Sequence, residues 1–144
     1  MKVADILSEK GDRVVTVRPG ESIANLTQRL RLEGVGAMIV SEDGERIDGI
    51  ISERDVAHGL AEHGAAILDM NVANLMTRSV VTCKPDDTIA DISRVMTRRR
   101  VRHLPVQSAG RLAGVVSVGD VVKHRLDEME LEANVLRDYA IARH

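Results

Sequence analysis

The chain has 144 residues, with 20 Lys and Arg against 22 Asp and Glu, and a net charge of −2. This balance produces no overall field that would favour a nucleic acid or a membrane surface as a partner. With no Trp, no Phe and one Tyr, the chain lacks the stacking platforms of ordinary single-strand nucleic-acid binders, and its single Cys excludes an intrachain disulfide.

The N-terminal segment, residues 1–12, turns polar too early for a signal peptide. No apolar run approaches the ~18 residues that a membrane span requires. We therefore expect a cytoplasmic protein whose core is built from aliphatic side chains.

The first half of the chain alternates between strand and helix patterns. A β-branched stretch that ends at Pro19 predicts a strand, and Ile23, Leu26 and Leu30 share one face of a predicted helix. An Asp-Gly pair between two apolar runs predicts a hairpin turn at residues 42–45. The predicted elements are a helical turn at residues 3–7, strands at 13–17, 37–40 and 47–51, and helices that begin at residues 22 and 52.

The second half repeats this plan. The segment GIISERD at residues 49–55 returns as GVVSVGD at 114–120, and residues 3–7, 15–19 and 22–24 match 72–76, 81–85 and 88–90. Strands are predicted at 79–83, 101–106 and 112–116, and a helix at 88–99. A repeat of roughly 65 residues, present twice, is too long for a solenoid unit. The sequence predicts a pseudo-symmetric pair in which each half runs strand, helix, strand, strand, helix.

The last helix differs from its counterpart in the first half. After residue 120 neither Pro nor Gly occurs, and apolar residues recur at alternating steps of three and four on an otherwise charged segment. These residues are Leu126, Met129, Ala133, Leu136 and Ala140. Two interpretations stay open: the helix lies on its own domain, or its stripe pairs with a helix of a partner chain.

A repeated Ser-x-x-Asp, Ser52 with Asp55 and Ser117 with Asp120, lies where a strand passes into a helix. There the Ser hydroxyl and the free backbone amides of a helix start can bind a phosphate, and the Asp carboxylate can accept two hydrogen bonds from a vicinal diol. A ribose with its 5′-phosphate carries both groups. The same pattern is close to a capping box, in which Ser and Asp only stabilise the helix N-terminus. Both interpretations stay open.

A basic run, Arg-Arg-Arg-Val-Arg-His, occupies residues 98–103. Its first three arginines match the dipole at the end of a helix and are expected on the surface. Arg102 and His103 lie in or beside a strand whose first-half counterparts are Gly36 and Ala37. At the mouth of a cleft, a guanidinium and an imidazole would suit a phosphate. Because Gly and Ala stand opposite them, the two halves cannot form equivalent clefts.

No motif indicates catalysis. Cys83 aligns with Val17 inside a strand, which favours core packing over a nucleophilic role. The histidines have no Cys or carboxylate at ligand spacing, and neither a Gly-rich phosphate loop nor a Ser-His-Asp order occurs in the sequence. We therefore expect neither a metal site nor an enzyme.

Taken together, these segments resemble a tandem pair of CBS domains, the module named after cystathionine β-synthase. The resemblance covers about residues 1–126 and rests on the Val-Thr-h-x-Pro strands, the Val-Arg-His-Leu-Pro-Val strand at 101–106 and the two Gly-h-h-Ser-x-x-Asp segments. It implies an α/β (α+β) fold in which repeats at residues 1–65 and 66–126 pack as one module, followed by a helical extension at 127–144. The C-terminal stretch is similar to that of small stand-alone bacterial proteins of this type.

The resemblance also implies two clefts between the repeats, each combining the Ser-x-x-Asp of one repeat with the leading strand of the other. One cleft would contain Ser117, Asp120, Arg13, Val15, Val35 and Val115. The other would contain Ser52, Asp55, Ile50, Val80, Val81 and Val101. Apolar residues would hold an adenine, Asp the ribose, and Ser with Arg102 or His103 the phosphate.

The function implied by the resemblance is a regulatory one. Members of the family bind AMP, ATP, NAD or S-adenosylmethionine and pair into flat dimers. We expect a homodimeric energy sensor that binds AMP, ATP or NAD(H), carries no catalytic cofactor and signals to a separate effector protein. The alternatives are a structural dimerisation adaptor with empty clefts, and nucleic-acid binding through the run from Arg98 to Arg102, which the acidic balance and missing aromatics disfavour.

Overall fold

The structure, a computed structural model, describes residues 1–142 of the chain and has the predicted mixed α+β fold. Six α-helices, one 3-10 helix and five strands occur in these residues. In chain order they are α1 (Val3–Lys10), β1 (Thr16–Val17), α2 (Ile23–Glu33), β2 (Ala37–Val40), β3 (Gly49–Ser52), α3 (Glu53–His63), the 3-10 helix (Gly64–Asp69), α4 (Val72–Leu75), α5 (Ile89–Arg99), β4 (His103–Ser108), β5 (Arg111–Ser117) and α6 (Val118–Ala142).

The strands form two small sheets, one in each half. In the first half β1 pairs parallel with β2, and β2 pairs antiparallel with β3; in the second half β4 and β5 form an antiparallel pair. The strand predicted at residues 79–83 is reduced to one parallel bridge between Cys83 and Val106, the counterpart of the pairing between Val17 and Val40. It stays short because the Val80 amide bonds the Arg78 carbonyl in a local turn, at 3.1 Å.

The helix boundaries follow the expected cap chemistry in both halves. Ser22 caps α2 by accepting a bond from the Asn25 amide, and Thr88 caps α5 by accepting one from the Asp91 amide, each at 3.1 Å. Both helices end on a left-handed residue, Gly34 in α2 and Arg100, with φ 54°, in α5. The equivalent ends show that the two halves share one local architecture.

The halves exchange their leading helices. Val3 and Ile6 of α1 are fully buried, but they belong to the core of the second half, with Ile89 and Leu104. Conversely, Val72 of α4 is buried in the core of the first half. Each core therefore contains a helix contributed by the other half, and this exchange packs the two halves against each other.

Helix α6 begins on the domain and then leaves its surface. Val121 and His124 are buried, whereas every described side chain from Met129 to Ala142 is exposed. The exposed part includes Met129 and Leu136, which belong to the predicted apolar stripe. The interpretation that this helix lies on its own domain is therefore wrong for residues 129–142. Residues 143 and 144 of the predicted extension lie outside the described residues.

Candidate functional site

A cavity of about 340 Å³ opens at the seam between the two halves. It is lined by the end of β3 and the start of α3 from the first half, and by the segments around Val80 and Arg102 from the second. The lining residues are Gly36, Ala37, Ile50, Ser52, Glu53, Arg54, Asp55, Thr77, Ser79, Val80, Val81, Arg100, Val101, Arg102 and His103. Its volume falls in the range of about 300–1,000 Å³ typical of small-molecule sites.

Ser52 and Asp55 stand where β3 passes into α3. The Ser52 amide donates to Asp55 Oδ2 at 2.8 Å, the Ser52 hydroxyl donates to the same oxygen at 3.1 Å, and the Asp55 amide donates back to Ser52 Oγ at 3.4 Å. This reciprocal arrangement confirms the capping interpretation. A carboxylate offers about four lone-pair sites, so a capped Asp55 still has acceptor capacity at the cavity wall.

The apolar wall of the cavity comes from both halves. Ile50, Val80, Val81 and Val101 are all half-buried and line it. Thr77 joins Ile50 to the segment that leads to Val80 and Val81, because its amide and carbonyl exchange two backbone hydrogen bonds with Ile50, each 2.9 Å long. Apolar side chains contributed by both halves at this place suit an apolar ring.

Cationic side chains also line the cavity. Arg54, Arg100 and Arg102 are exposed at its rim, and half-buried His103 lies beside them. Burial lowers the pKa of His103 most, and the ammonium of Lys10 lowers it further; the raising effect of Asp120 comes next, followed by a lowering effect of Arg102 and a raising effect of Glu53. The ring is therefore held neutral near pH 7, in a place where an arriving anion would favour its protonation.

The basic run divides between cavity and surface. Arg98 and Arg99 are exposed in the last turn of α5, as predicted for residues that match the helix dipole. Arg100, predicted to lie with them, lines the cavity because its left-handed conformation ends the helix there. Sequence reasoning also missed Glu53, which lines the cavity. It lies close to Gly36, since a Cβ on that glycine would stand 3.9 Å from the carboxylate carbon of Glu53.

The other predicted cleft is arranged differently. Ser117 and Asp120 form the same reciprocal cap, with Ser117 N to Asp120 Oδ2 at 2.9 Å and Asp120 N to Ser117 Oγ at 3.1 Å. Here, however, Lys10 Nζ lies 2.7 Å from Asp120 Oδ2 and donates to the Val115 carbonyl at 3.1 Å. Lys10 was not among the predicted site residues.

The remaining residues of that cleft lie outside the cavity of about 340 Å³. Arg13 is largely exposed and stands 3.8 Å from a carboxylate oxygen of Glu33. Val35 is 39% exposed, and Val15 packs against the core of the first half. The structure thus brings together the six predicted residues of the Ser52 cleft, and with them Arg102 and His103, which the prediction had assigned to neither cleft. It places the six residues of the Asp120 cleft elsewhere.

A larger groove, about 510 Å³ in volume, lies beside the turn at residues 42–45. It is lined by the first half alone, and its polar groups bond to one another: Arg29 Nη2 donates to the Thr16 carbonyl at 2.8 Å, and Ser41 Oγ to Asp43 Oδ1 at 3.2 Å. Lacking an apolar wall, it is a poorer candidate for a ligand site than the smaller cavity.

Among residues 1–142, no three His, Cys, Asp or Glu side chains are grouped so as to hold a metal ion. Over the same span, no helix combines the length and the apolar character that crossing a membrane requires.

Comparison with known proteins gives a consistent picture. The family model of the CBS domain matches twice, at residues 3–62 and 72–127. A CBS-domain-containing protein from Agrobacterium tumefaciens has a crystal structure with 43% sequence identity and a TM-score of 0.83, covering 87% of this chain and 99% of that one. The crystal structure of CBSX2 in complex with AMP has 25% identity and a TM-score of 0.75, covering 89% and 98%. A 17.7 kDa protein of Acidianus ambivalens is 31% identical over 127 residues, 88% of this chain and 74% of its own.

Proposed function

Because the chain belongs to the CBS-domain family, as a tandem pair of CBS domains, we propose that it is a regulatory module that binds an adenosine-containing nucleotide. The observation that carries the proposal is the cavity of about 340 Å³, in which residues from both repeats meet. AMP, ATP and NAD(H) are the ligands to be tested. The proposal includes no catalytic activity.

Each group of lining residues has a chemistry that suits one part of the ligand. Ile50, Val80, Val81 and Val101 offer the apolar contacts for adenine. The Asp55 carboxylate, oriented by its bonds to Ser52, accepts the hydroxyls of the ribose. The cationic side chains would take the phosphate, with Arg102 as a bidentate donor and His103 as a proton-dependent one.

The comparisons support this ligand class. CBSX2, whose crystal structure covers 89% of this chain, was crystallised in complex with AMP. Its fold match extends over both repeats, so the seam that forms the cavity is part of the match.

The proposal further includes a homodimer and a separate effector protein. The exposed apolar stripe on α6, with Leu126, Met129 and Leu136 each more than half exposed, is the feature that a second chain would cover. The same stripe favours the second candidate function, a dimerisation adaptor whose cavity stays empty. Nucleic-acid binding is not favoured, since Arg100 and Arg102 of the basic run belong to the cavity rim.

Thermal melting separates the two candidates. A nucleotide present at 100 times its dissociation constant should add about 2.7 kcal/mol to the stability of the folded chain. We expect AMP, ATP or NADH to raise the melting temperature of the wild-type chain, and Asp55→Ala to abolish the ligand-dependent part of that rise. Mass spectrometry of nucleotides released from the purified protein would identify the natural ligand.

A matched control is available at the start of α1. Asp5 Oδ2 accepts the Lys2 amide at 2.8 Å, a cap of the same kind as that of Asp55 but away from the cavity. Asp5→Ala should lower the melting temperature of the free chain yet keep the ligand-dependent rise. If none of the three nucleotides changes the melting temperature of the wild type, the nucleotide proposal is wrong and the adaptor is favoured.

A further inference from the structure

The two repeats differ in the link between the leading helix and the leading strand. Val72 follows Val3 by 69 residues, whereas Val81 follows Val15 by 66, so the first half has three more residues in this link. They lengthen the helix: α1 has eight residues, whereas α4 has four. The additional turn of α1 carries Glu9 and Lys10.

The shorter link of the second half reaches its partner strand through its backbone. The Thr77 amide donates to the carbonyl of Ile50 at 2.9 Å. The second-half residue equivalent to Ile50 is Val115, and its carbonyl accepts a bond from Lys10 Nζ, in the link of the first half, at 3.1 Å. A lysine ammonium therefore takes the place that a backbone amide holds in the other half.

The same ammonium also pairs with the carboxylate of the Asp120 cleft. Lys10 Nζ lies 2.7 Å from Asp120 Oδ2, and these side chains are 40% and 23% exposed. Although burial raises the pKa of Asp120, the bonds from Lys10 and from Ser117 outweigh it, so the net shift is downward. The carboxylate is thus charged and paired.

In the other cleft, no cation of residues 1–142 pairs with the carboxylate. Among the residues that the structure describes, only Ser52 bonds the Asp55 carboxylate, which lines the cavity of about 340 Å³. A neutral diol is a weaker partner for a carboxylate than an ammonium, since bonds between two charged groups are the stronger ones. A ribose can therefore reach Asp55 directly but would have to displace Lys10 from Asp120.

We propose that Lys10 closes the Asp120 cleft against nucleotides, so that each chain binds one nucleotide, in the Ser52 cleft. This inference rests on the proposed function, and it makes the pseudo-symmetric pair a single-site receptor. Lys10 acts as an internal substitute for the ligand at the carboxylate: its ammonium bonds Asp120, whose equivalent Asp55 lines the open cavity. It is held there by the Val115 carbonyl, whose equivalent in Ile50 is already bonded by the Thr77 amide.

Titration calorimetry with AMP tests the proposal on the full chain. We expect a stoichiometry of one AMP per wild-type chain, lost in Asp55→Ala and retained in Asp120→Ala. In Lys10→Met, a second binding event should appear, and the double variant Lys10→Met with Asp120→Ala should return to one. Lys123→Met is the matched control, because Lys123 pairs with Glu9 at 2.8 Å across the same two helices without bonding Asp120. It should keep one AMP per chain.

The outcomes distinguish this inference from the proposed function. Two AMP per wild-type chain would overturn the closure by Lys10 while supporting nucleotide binding. One AMP in both the wild type and Lys10→Met would also overturn it, as would weaker binding in Lys10→Met, which would make the lysine part of the ligand site. Absence of AMP binding in the wild type together with binding in Lys10→Met would support the closure and contradict nucleotide sensing by the native chain. Absence of binding in both would overturn both ideas.

Discussion

Gly49 lies directly against the backbone of Thr77: a Cβ at Gly49 would stand 2.8 Å from the Thr77 carbonyl oxygen. That carbonyl cannot move aside easily, because Thr77 exchanges two backbone hydrogen bonds with Ile50 at the cavity wall. The equivalent glycine of the second repeat, Gly114, would bring its Cβ to 2.6 Å from Leu7 Cδ2, the end of a side chain that can rotate. At both positions a glycine is required by the exchange of leading helices.

Substitution of these glycines should therefore cost stability in a definite order. We expect Gly49→Ala to destabilise the fold by about 1–3 kcal/mol, as overpacked sites do, and Gly114→Ala by less. Gly119→Ala is the control, since its Cβ would meet nothing closer than Ser117 Oγ at 3.6 Å, and alanine favours a helix. Urea unfolding of the three variants provides the measurement. Equal effects at Gly49 and Gly119 would contradict the close packing described here.

Cys83 should be chemically inert in the folded chain. Burial, with a smaller contribution from the charge of Asp87, raises the pKa of its thiol to about 12, and the thiolate is the reactive form. We expect no reaction with Ellman's reagent at pH 8 over a period that labels the urea-unfolded chain completely. Because Val17 occupies the equivalent core position, Cys83→Val should change stability by less than about 1.5 kcal/mol. Rapid labelling of the native chain would show that the thiol is not in the core.

The internal repeat made much of this architecture predictable. Aligning the halves was enough to find the two Ser-x-x-Asp segments and their matched strands, whereas the grouping of Ser52 and Asp55 with Val80 in one cleft followed from the resemblance to CBS-domain pairs. The exchange of leading helices was not predictable from periodicity, since Val3 and Ile6 indicate an apolar face without indicating which core receives it.

Lys10 escaped prediction for a different reason. A lysine in the last turn of a helix fits the helix dipole, so its identity gives no hint of a specific partner. Its bond to Asp120 joins residues 110 positions apart and depends on the extra turn of α1. Only the difference of three residues between the two links was visible in the sequence.

Nucleotide affinity should depend on pH through His103. Its pKa is lowered in the free chain by burial and by the cations Lys10 and Arg102, and a bound phosphate would raise it. Nucleotide binding is therefore accompanied by proton uptake at His103. The affinity for the nucleotide rises as the pH falls from about 8 towards 5, and it levels off once His103 is also protonated in the free chain. Calorimetry of AMP binding at pH 7 in two buffers of different ionisation enthalpy measures the proton uptake.

The variant His103→Asn separates this effect from the titration of AMP itself, because the ligand contributes equally to both proteins. We expect proton uptake to fall in the variant by the share that belongs to the imidazole. Identical uptake by the wild type and His103→Asn would place the phosphate away from this side chain, although Arg102 could still be its partner.

The stripe on α6 should hold two chains together. Leu136 is 68% exposed and lies on the predicted seam with Leu126 and Met129, whereas Leu131, 62% exposed, lies on another face of the same helix. Leu136→Lys would place a charge in an apolar seam. Since each buried Leu contributes about 1.5–3 kcal/mol and a dimer would lose two, its dissociation constant should rise at least about a hundredfold.

Leu131→Lys adds the same charge off the seam and should leave the dimer intact. Sedimentation equilibrium of the wild type and both variants measures the masses; a monomeric wild type, or equal weakening by the two substitutions, would contradict pairing along this stripe.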